Sequence, residues 1–389
     1  MQDIDLSPFK DKKVALVLSG GVIKAGAWHL GVALALEEMG FSFKSNGAPK
    51  DSYQISTYVG SSAGALINLY FAMGHKPLDI IDANLNRKKT KLVPISYRDM
   101  LYLKNPMKKP TRASSYDPFI GLPYAIKKLL QPLTNISGFF STYGLHNYIQ
   151  THLNEFSLFD ELESDLFVVA TQLDHSRKVI FSKYNYPNPS HDSTAIYYTD
   201  ISIADSIAAS MSVPPFYSPY PIKNPLTAEV DYYLDGEIRE TLSTHVALDN
   251  NCNHIICSWT HTPLHYHDEI GSLINYGIPA IGIQAIYLMI QKKIIANRAK
   301  FSTAKDAIDS VYQYMMANDF SVDHQKKILN ILERKLHYKK DVHLIDIYPD
   351  HDNYKVFFHN FFSLDPNNTA EVVKAGYQKT VKVLKEYQW

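Results

Sequence analysis

The sequence predicts an α/β fold, with a largely buried sheet carrying helices on its faces and a mostly helical C-terminal extension. Three observations carry this expectation. Short continuous apolar runs, VALVL at Val14–Leu18 foremost, suit strands buried on both faces. Several run into a Gly/Ser turn and then a helical stretch, the repeating strand–turn–helix unit of α/β proteins. The 389 residues are 46% hydrophobic and 20% charged, which supplies a substantial core and argues against disorder as the main state.

Taken in order, Val14–Leu18 leads into Ser19-Gly20-Gly21, and Ala25 to Met39 reads as a helix ending at Gly40. Ile55–Val59 is a second β-branched run, broken by Gly60-Ser61-Ser62-Ala63-Gly64, after which Ala65 to Met73 reads as helix. Leu166–Thr171 and Lys178–Ser182 are further strands, Ile201–Ser210 a helix, Asp231–Asp235 a strand end and His254–Trp259 another buried strand. From Pro279 the pattern is mostly helical, with a strand at Val342–Ile347 and a final helix from Thr369. Residues 1–13 read as a tail, 14–245 as the α/β domain, and 246–389 as an extension whose strand completes the core sheet. No linker separates them.

Ile270 to Gln291 carries no formal charge, but Asn275, Gly277, Pro279, Gly282 and Gln284 make it a poor spanning helix. It reads as a soluble helix packed through Ile283, Ile286, Tyr287 and Ile290. The N-terminal MQDIDLSPFKDKK has no apolar signal region, so a cytoplasmic or membrane-peripheral protein is expected, with export by another route left open.

Lys and Arg number 39 against 39 Asp and Glu, and this balance argues against a dedicated nucleic-acid binder. The neutrality hides an asymmetry. Residues 83–131 hold eleven basic residues and two acids, Asp99 and Asp117, so this stretch carries +9 and the rest −9. Tyr97, Leu103, Phe119, Ile120 and Tyr124 are interleaved with the charges. Such a surface suits an anionic bilayer, and a solvated basic flap over a cleft is the equal alternative. The two cysteines, Cys252 and Cys257, exclude a disulfide framework and read as small buried residues near a strand.

The sharpest motif is GSSAG at Gly60–Gly64, a G-x-S-x-G centred on Ser62. A serine on a tight strand-to-helix turn exposes its hydroxyl only if its neighbours are small, and the helix that follows offers positive potential to a developing anion. The second is SGGVIKAG (Ser19–Gly26), also between strand and helix. Ala27-Trp28 after the last glycine rules out a P-loop, and the spacing misses the dinucleotide fingerprint. An oxyanion hole from the N–H groups of Gly20, Gly21 and Val22 survives. The third is Asp235-Gly236 at a strand end, where an aspartate is placed to take the serine proton, though Asp-Gly alone is an ordinary turn.

With these blocks in this order the chain resembles the patatin-like phospholipase family, from about Val14 to Thr244. LVLSGGVIKAGAWHLGVALALEE is similar to the family's oxyanion segment, with its basic residue at Lys24. GSSAG corresponds to the nucleophile block, AASMSVPPFYSPY (Ala208–Tyr220) to the block before the second catalytic residue, and Leu234-Asp235-Gly236 to that residue. The resemblance implies a three-layer α/β/α sandwich and a Ser62–Asp235 dyad acting through an acyl-enzyme on phospholipids or lysophospholipids. Gly60, Gly64 and Gly236 have supporting roles, and no metal or cofactor is required. Lys24 steadies the glycine loop or meets a phosphate. Two positions depart from the family pattern: Val22 stands where a third glycine is usual, and Glu237 where Gly or Ala commonly follows Asp-Gly.

Other readings stay open. A Ser–Asp–His hydrolase would draw on His245, His254, His261, His265 or His267, which follow Asp235 in chain order. The His261/His265/His267 group also invites a metal, although a polar loop is the simpler reading. A non-catalytic membrane- or partner-binding protein on the same fold is a rival from another class. Acyl transfer to an acceptor other than water would use the same pair.

Overall fold

The computed structural model describes residues 5–85, 92–103, 119–131, 136–186, 195–225, 227–336, 338 and 342–387. Its strands are β1 (Val14–Leu18), β2 (Ser42–Phe43), β3 (Gln54–Ser61), β4 (Asp165–Gln172), β5 (Arg177–Phe181), β6 (Ile196–Tyr198), β7 (Tyr220–Lys223), β8 (Val230–Asp235), β9 (His254–Ser258) and β10 (His343–Ile347). They form one mixed sheet in which β10, β9, β1, β3 and β4 run parallel in that spatial order. β5 continues it antiparallel to β4, and β6 lies parallel to β5.

Every residue of β1, β4 and β9 is buried, because helices cover both faces of the sheet. Alternation along β1 sends Leu16 and Leu18 into one apolar layer and Ala15 and Val17 into the other. The first layer holds α1 (Val22–Glu38), α2 (Ala63–Ala72) and the final helix Pro366–Glu386, and the second holds Val246 and Ile294. This is the three-layer α/β fold with a helical C-terminal part that the sequence predicts. The final helix crosses α1 closely. A Cβ on Gly31 would lie 2.0 Å from the Val373 carbonyl oxygen, and one on Gly376 would lie 2.4 Å from that of Trp28.

The register near β4 positions the site. β3 pairs with β4 as far as Ser61 opposite Val169. Beyond it β8 takes over that edge antiparallel, with Asp235 opposite Ala170. The end of β8 therefore abuts the end of β3, although 173 residues separate Ser62 from Asp235.

Several elements differ from expectation. α1 starts at Val22 instead of Ala25, and α2 at Ala63 instead of Ala65, so both helices spring directly from their glycine turns. The helix read from Pro279 runs from Gly277 to Ala317. Tyr287 and Ile294 are buried and Ile283 and Ile290 half-buried, but Ile286 is 57% exposed, so it is not a packing residue. Leu273–Ala317 is long and apolar enough to cross a membrane by length and composition, with a mean hydropathy of 1.6 in its most apolar window. Of the basic residues in 83–131, Arg98, Lys127 and Lys128 are described. Arg87, Lys88, Lys89, Lys91, Lys104, Lys108, Lys109 and Arg112 lie outside the described residues, as do Asp117 and Tyr116.

Candidate active site

Ser62 sits between β3 and α2 with φ 52° and ψ −127°, a left-handed backbone that a non-glycine residue adopts only when its surroundings impose it. A Cβ on Gly60 would meet the Ala65 nitrogen at 2.5 Å, and one on Gly64 the Leu18 carbonyl oxygen at 2.4 Å, so the turn closes only around glycines. The Ser62 N–H donates to Ser210 Oγ at 2.8 Å, and Ser210 Oγ donates in turn to the Val169 carbonyl at 2.6 Å.

The Ser62 hydroxyl lies close enough to the Asp235 carboxyl to favour its ionised form, and Asp235 Oδ1 accepts the Glu237 N–H at 2.9 Å. Asp235 is buried, and its own N–H donates to the Ser212 carbonyl at 3.0 Å. Ser210 and Ser212 thus tie Ser62 and Asp235 to one segment, which is why Ala208–Tyr220 travels with both. Burial, and then the neighbouring Glu237 carboxylate, push the Asp235 carboxyl up to about 7, against the Glu237 N–H it accepts and the nearby Ser62 hydroxyl. Gly236 lets β8 turn away beside β4, since a Cβ there would meet the Val169 carbonyl oxygen at 2.4 Å.

On the glycine loop, the N–H groups of Gly21 and Val22 have no acceptor among the described residues. The Gly20 N–H is different: it donates to Glu237 Oε1 at 2.8 Å, which removes it from the expected trio of oxyanion donors. Val22 has φ 56°, a region a β-branched side chain rarely enters, so the valine occupies a glycine's conformation. An apolar cleft reaches Ser62 between α1 and α2, lined by Val22, Leu30, Leu66, Tyr70, Met100 and Leu145 among others.

A family model for patatin-like phospholipases matches residues 16–248, well over half of the chain. The chain belongs to that family. Patatin-like proteins are lipid acyl hydrolases in general, and that class of activity comes with membership. No curated protein matches the chain significantly.

Other expected residues fall into place around the patatin-like core. Lys24 is fully buried: its Nζ donates to the Tyr287 hydroxyl at 2.8 Å and sits 4.1 Å above the Phe361 ring. Burial holds its ammonium down to about 7. His29 was not singled out by any motif, yet it is a strut of the loop. Its Nε2 donates to the Ser19 carbonyl and its Nδ1 meets Ser258 Oγ, each at 2.9 Å, and burial keeps it neutral, down to about 4.

Among the described residues no imidazole hydrogen-bonds Ser62 or Asp235. His245 lies beside Lys178 and Glu240, His254 stacks on His343, and His265 stacks on His351. His261 stands apart, because its Nδ1 is 4.0 Å from Glu237 Oε2. Cys252 and Cys257 are buried and form no disulfide, as expected.

Proposed function

We propose that this protein hydrolyses fatty-acyl esters of phospholipids or lysophospholipids through a Ser62–Asp235 dyad. The observation that carries the reading is a buried carboxyl, Asp235, beside the Ser62 hydroxyl at the foot of an apolar cleft. Asp235 takes the Ser62 proton as Oγ attacks the ester carbonyl carbon. The tetrahedral oxyanion faces the N–H groups of Gly21 and Val22, beside the N-terminus of α2. Its collapse releases the alcohol, which leaves with the proton from Asp235, and the acyl chain remains on Ser62. Water then gives a proton to Asp235 and attacks the acyl-enzyme, and Ser62 recovers its proton as the fatty acid departs.

The acyl donor is read as a lipid in a bilayer surface. Support comes from the helix Gly277–Ala317, where Ile278 (86% exposed) and exposed Met289 project from the side opposite buried Tyr287, given about 100° per residue, with exposed Ile281 and Leu288 on its flank. Aromatic contacts run from its start toward the cleft, with Tyr276 on Phe358 and Phe362 on Phe216.

Mass spectrometry of lipids released from mixed phospholipid vesicles tests the activity. Wild type should release fatty acid, whereas Ser62→Ala and Asp235→Asn should not, and a fluorophosphonate probe should label wild type but not Ser62→Ala. Equal product from wild type and Ser62→Ala would overturn the reading.

A further inference from the structure

Glu237 is the departure from the family pattern with the most to explain. It lies two residues beyond Asp235, largely but not wholly buried, with its carboxylate pressed against the glycine loop. Oε1 accepts the Gly20 N–H at 2.8 Å and the Ser61 hydroxyl. A Cβ on Gly20 would lie 2.8 Å from Glu237 Cγ and 2.7 Å from Ser62 Cβ, so only glycine at position 20 leaves room for this carboxylate. One oxygen therefore clamps the residue before the nucleophile and the first residue of the oxyanion loop.

We propose that Glu237 is a positioning residue of this site, which fixes the glycine loop against the Ser62 turn and sets the basicity of Asp235 through its charge. The proposal rests on the esterase reading for its consequence in catalysis, but not for its geometry. Loop fixation follows from the shared acceptor, because Gly20 and Ser61 belong to different segments and have Oε1 in common. It also divides the donors: Gly20 serves the clamp, and oxyanion stabilisation falls to Gly21 and Val22.

Asp235, His261 and Lys293 face Glu237. Asp235 comes from its own segment. His261 comes from the loop after β9, and burial, reinforced by Lys24 and His29, holds its imidazole down to about 3, so it contributes no positive charge. Lys293 approaches from the helix Gly277–Ala317 and favours the carboxylate, though burial still raises the Glu237 carboxyl overall. Of these groups Glu237 is the one that raises the Asp235 carboxyl, second to burial, and its backbone N–H binds Asp235 Oδ1 at 2.9 Å. A like charge close by disfavours ionisation, so Asp235 holds its proton more tightly and becomes a stronger base.

Two variants and two readouts test this. Glu237→Gln keeps the shape and an acceptor for Gly20 but drops the charge. The carboxyl carbon resonance of Asp235 should titrate at lower pH in Glu237→Gln than in wild type, with or without substrate. A fall of about one pH unit would raise the ionised fraction at pH 6 about fivefold. The acidic limb of the fluorophosphonate labelling rate should move with it. In Glu237→Ala the Gly20 amide should exchange with solvent at least about tenfold faster, since its acceptor is gone. If Asp235 titrates unchanged in Glu237→Gln, the proposal is overturned, as it is if Gly20 protection survives in Glu237→Ala. If Asp235 moves as expected while wild type takes no probe, the esterase reading falls and the positioning role stands.

Discussion

Replacing Lys24 by methionine should stabilise this protein at pH 6, an unusual result for a fully buried side chain. The drop of its ammonium from 10.5 to about 7 corresponds to about 5 kcal/mol of lost hydration, at 1.36 kcal/mol per pKa unit. The Phe361 and Tyr287 rings beneath the charge return about 2 kcal/mol, and a Tyr287 hydroxyl left without its donor would cost about 1 kcal/mol in the variant. Methionine fills nearly the same volume and packs well on aromatic rings. About 2 kcal/mol of net stabilisation remains, a rise of about 2 °C in Tm for a chain of this size. The pH dependence identifies the cause. Below about 7 lysine is charged in both states and the penalty is complete. Between about 7 and 10.5 the unfolded chain binds a proton that the folded chain has shed, so wild-type stability climbs with pH. Thermal unfolding of both proteins should show the variant ahead at pH 6 and the gap closing toward pH 10. A variant less stable than wild type at pH 6, or a gap indifferent to pH, would refute the reasoning.

Because Asp235 must be ionised to take the serine proton, kcat/KM should rise as pH passes about 7. Asp235→Asn should be inactive yet melt higher than wild type at pH 8, since it removes a carboxylate whose raised folded pKa costs stability above that value; a lower Tm at pH 8 contradicts this. Gly31→Ala places a methyl 2.0 Å from the Val373 carbonyl oxygen and should cost about 1–3 kcal/mol in denaturant unfolding, while Gly282→Ala, with nothing within 4 Å, should not. Ile278→Asp with Met289→Asp should weaken flotation with phospholipid vesicles and leave Tm unchanged, and raised salt should weaken it further if basic residues share the surface. Undiminished flotation of the double variant removes that helix from the docking surface.

The sheet was legible because buried parallel strands announce themselves as unbroken apolar runs, as Val14–Leu18 and His254–Ser258 do. Short strands were not. β2 has two residues and β6 three, too few for any period to register. Ser62 and Asp235 stood out because each ends a strand beside glycine. Ser210 and His29 did not, since a serine bridging two carbonyl-rich segments and a histidine strutting a loop have no local spacing. Glu237 was visible as an oddity after Asp-Gly, but its partner Gly20 lies 217 residues away, and only the fold brings the two together. Ile286 differs from the sequence expectation because polar interruptions in a sequence do not say which face a neighbour covers.

The family match ends at residue 248, yet β9 and β10 follow it and stand beside β1 on the side away from β3. A fragment cut at the family boundary would turn β1 from an interior strand into a bare, wholly apolar edge, the kind that recruits strands from other molecules. It would also strip Ser258 from His29, and with it one anchor of the loop that faces Ser62. Sequence similarity and folding thus draw different borders on this chain. The unit to express, mutate or transplant is the one with β10 in it.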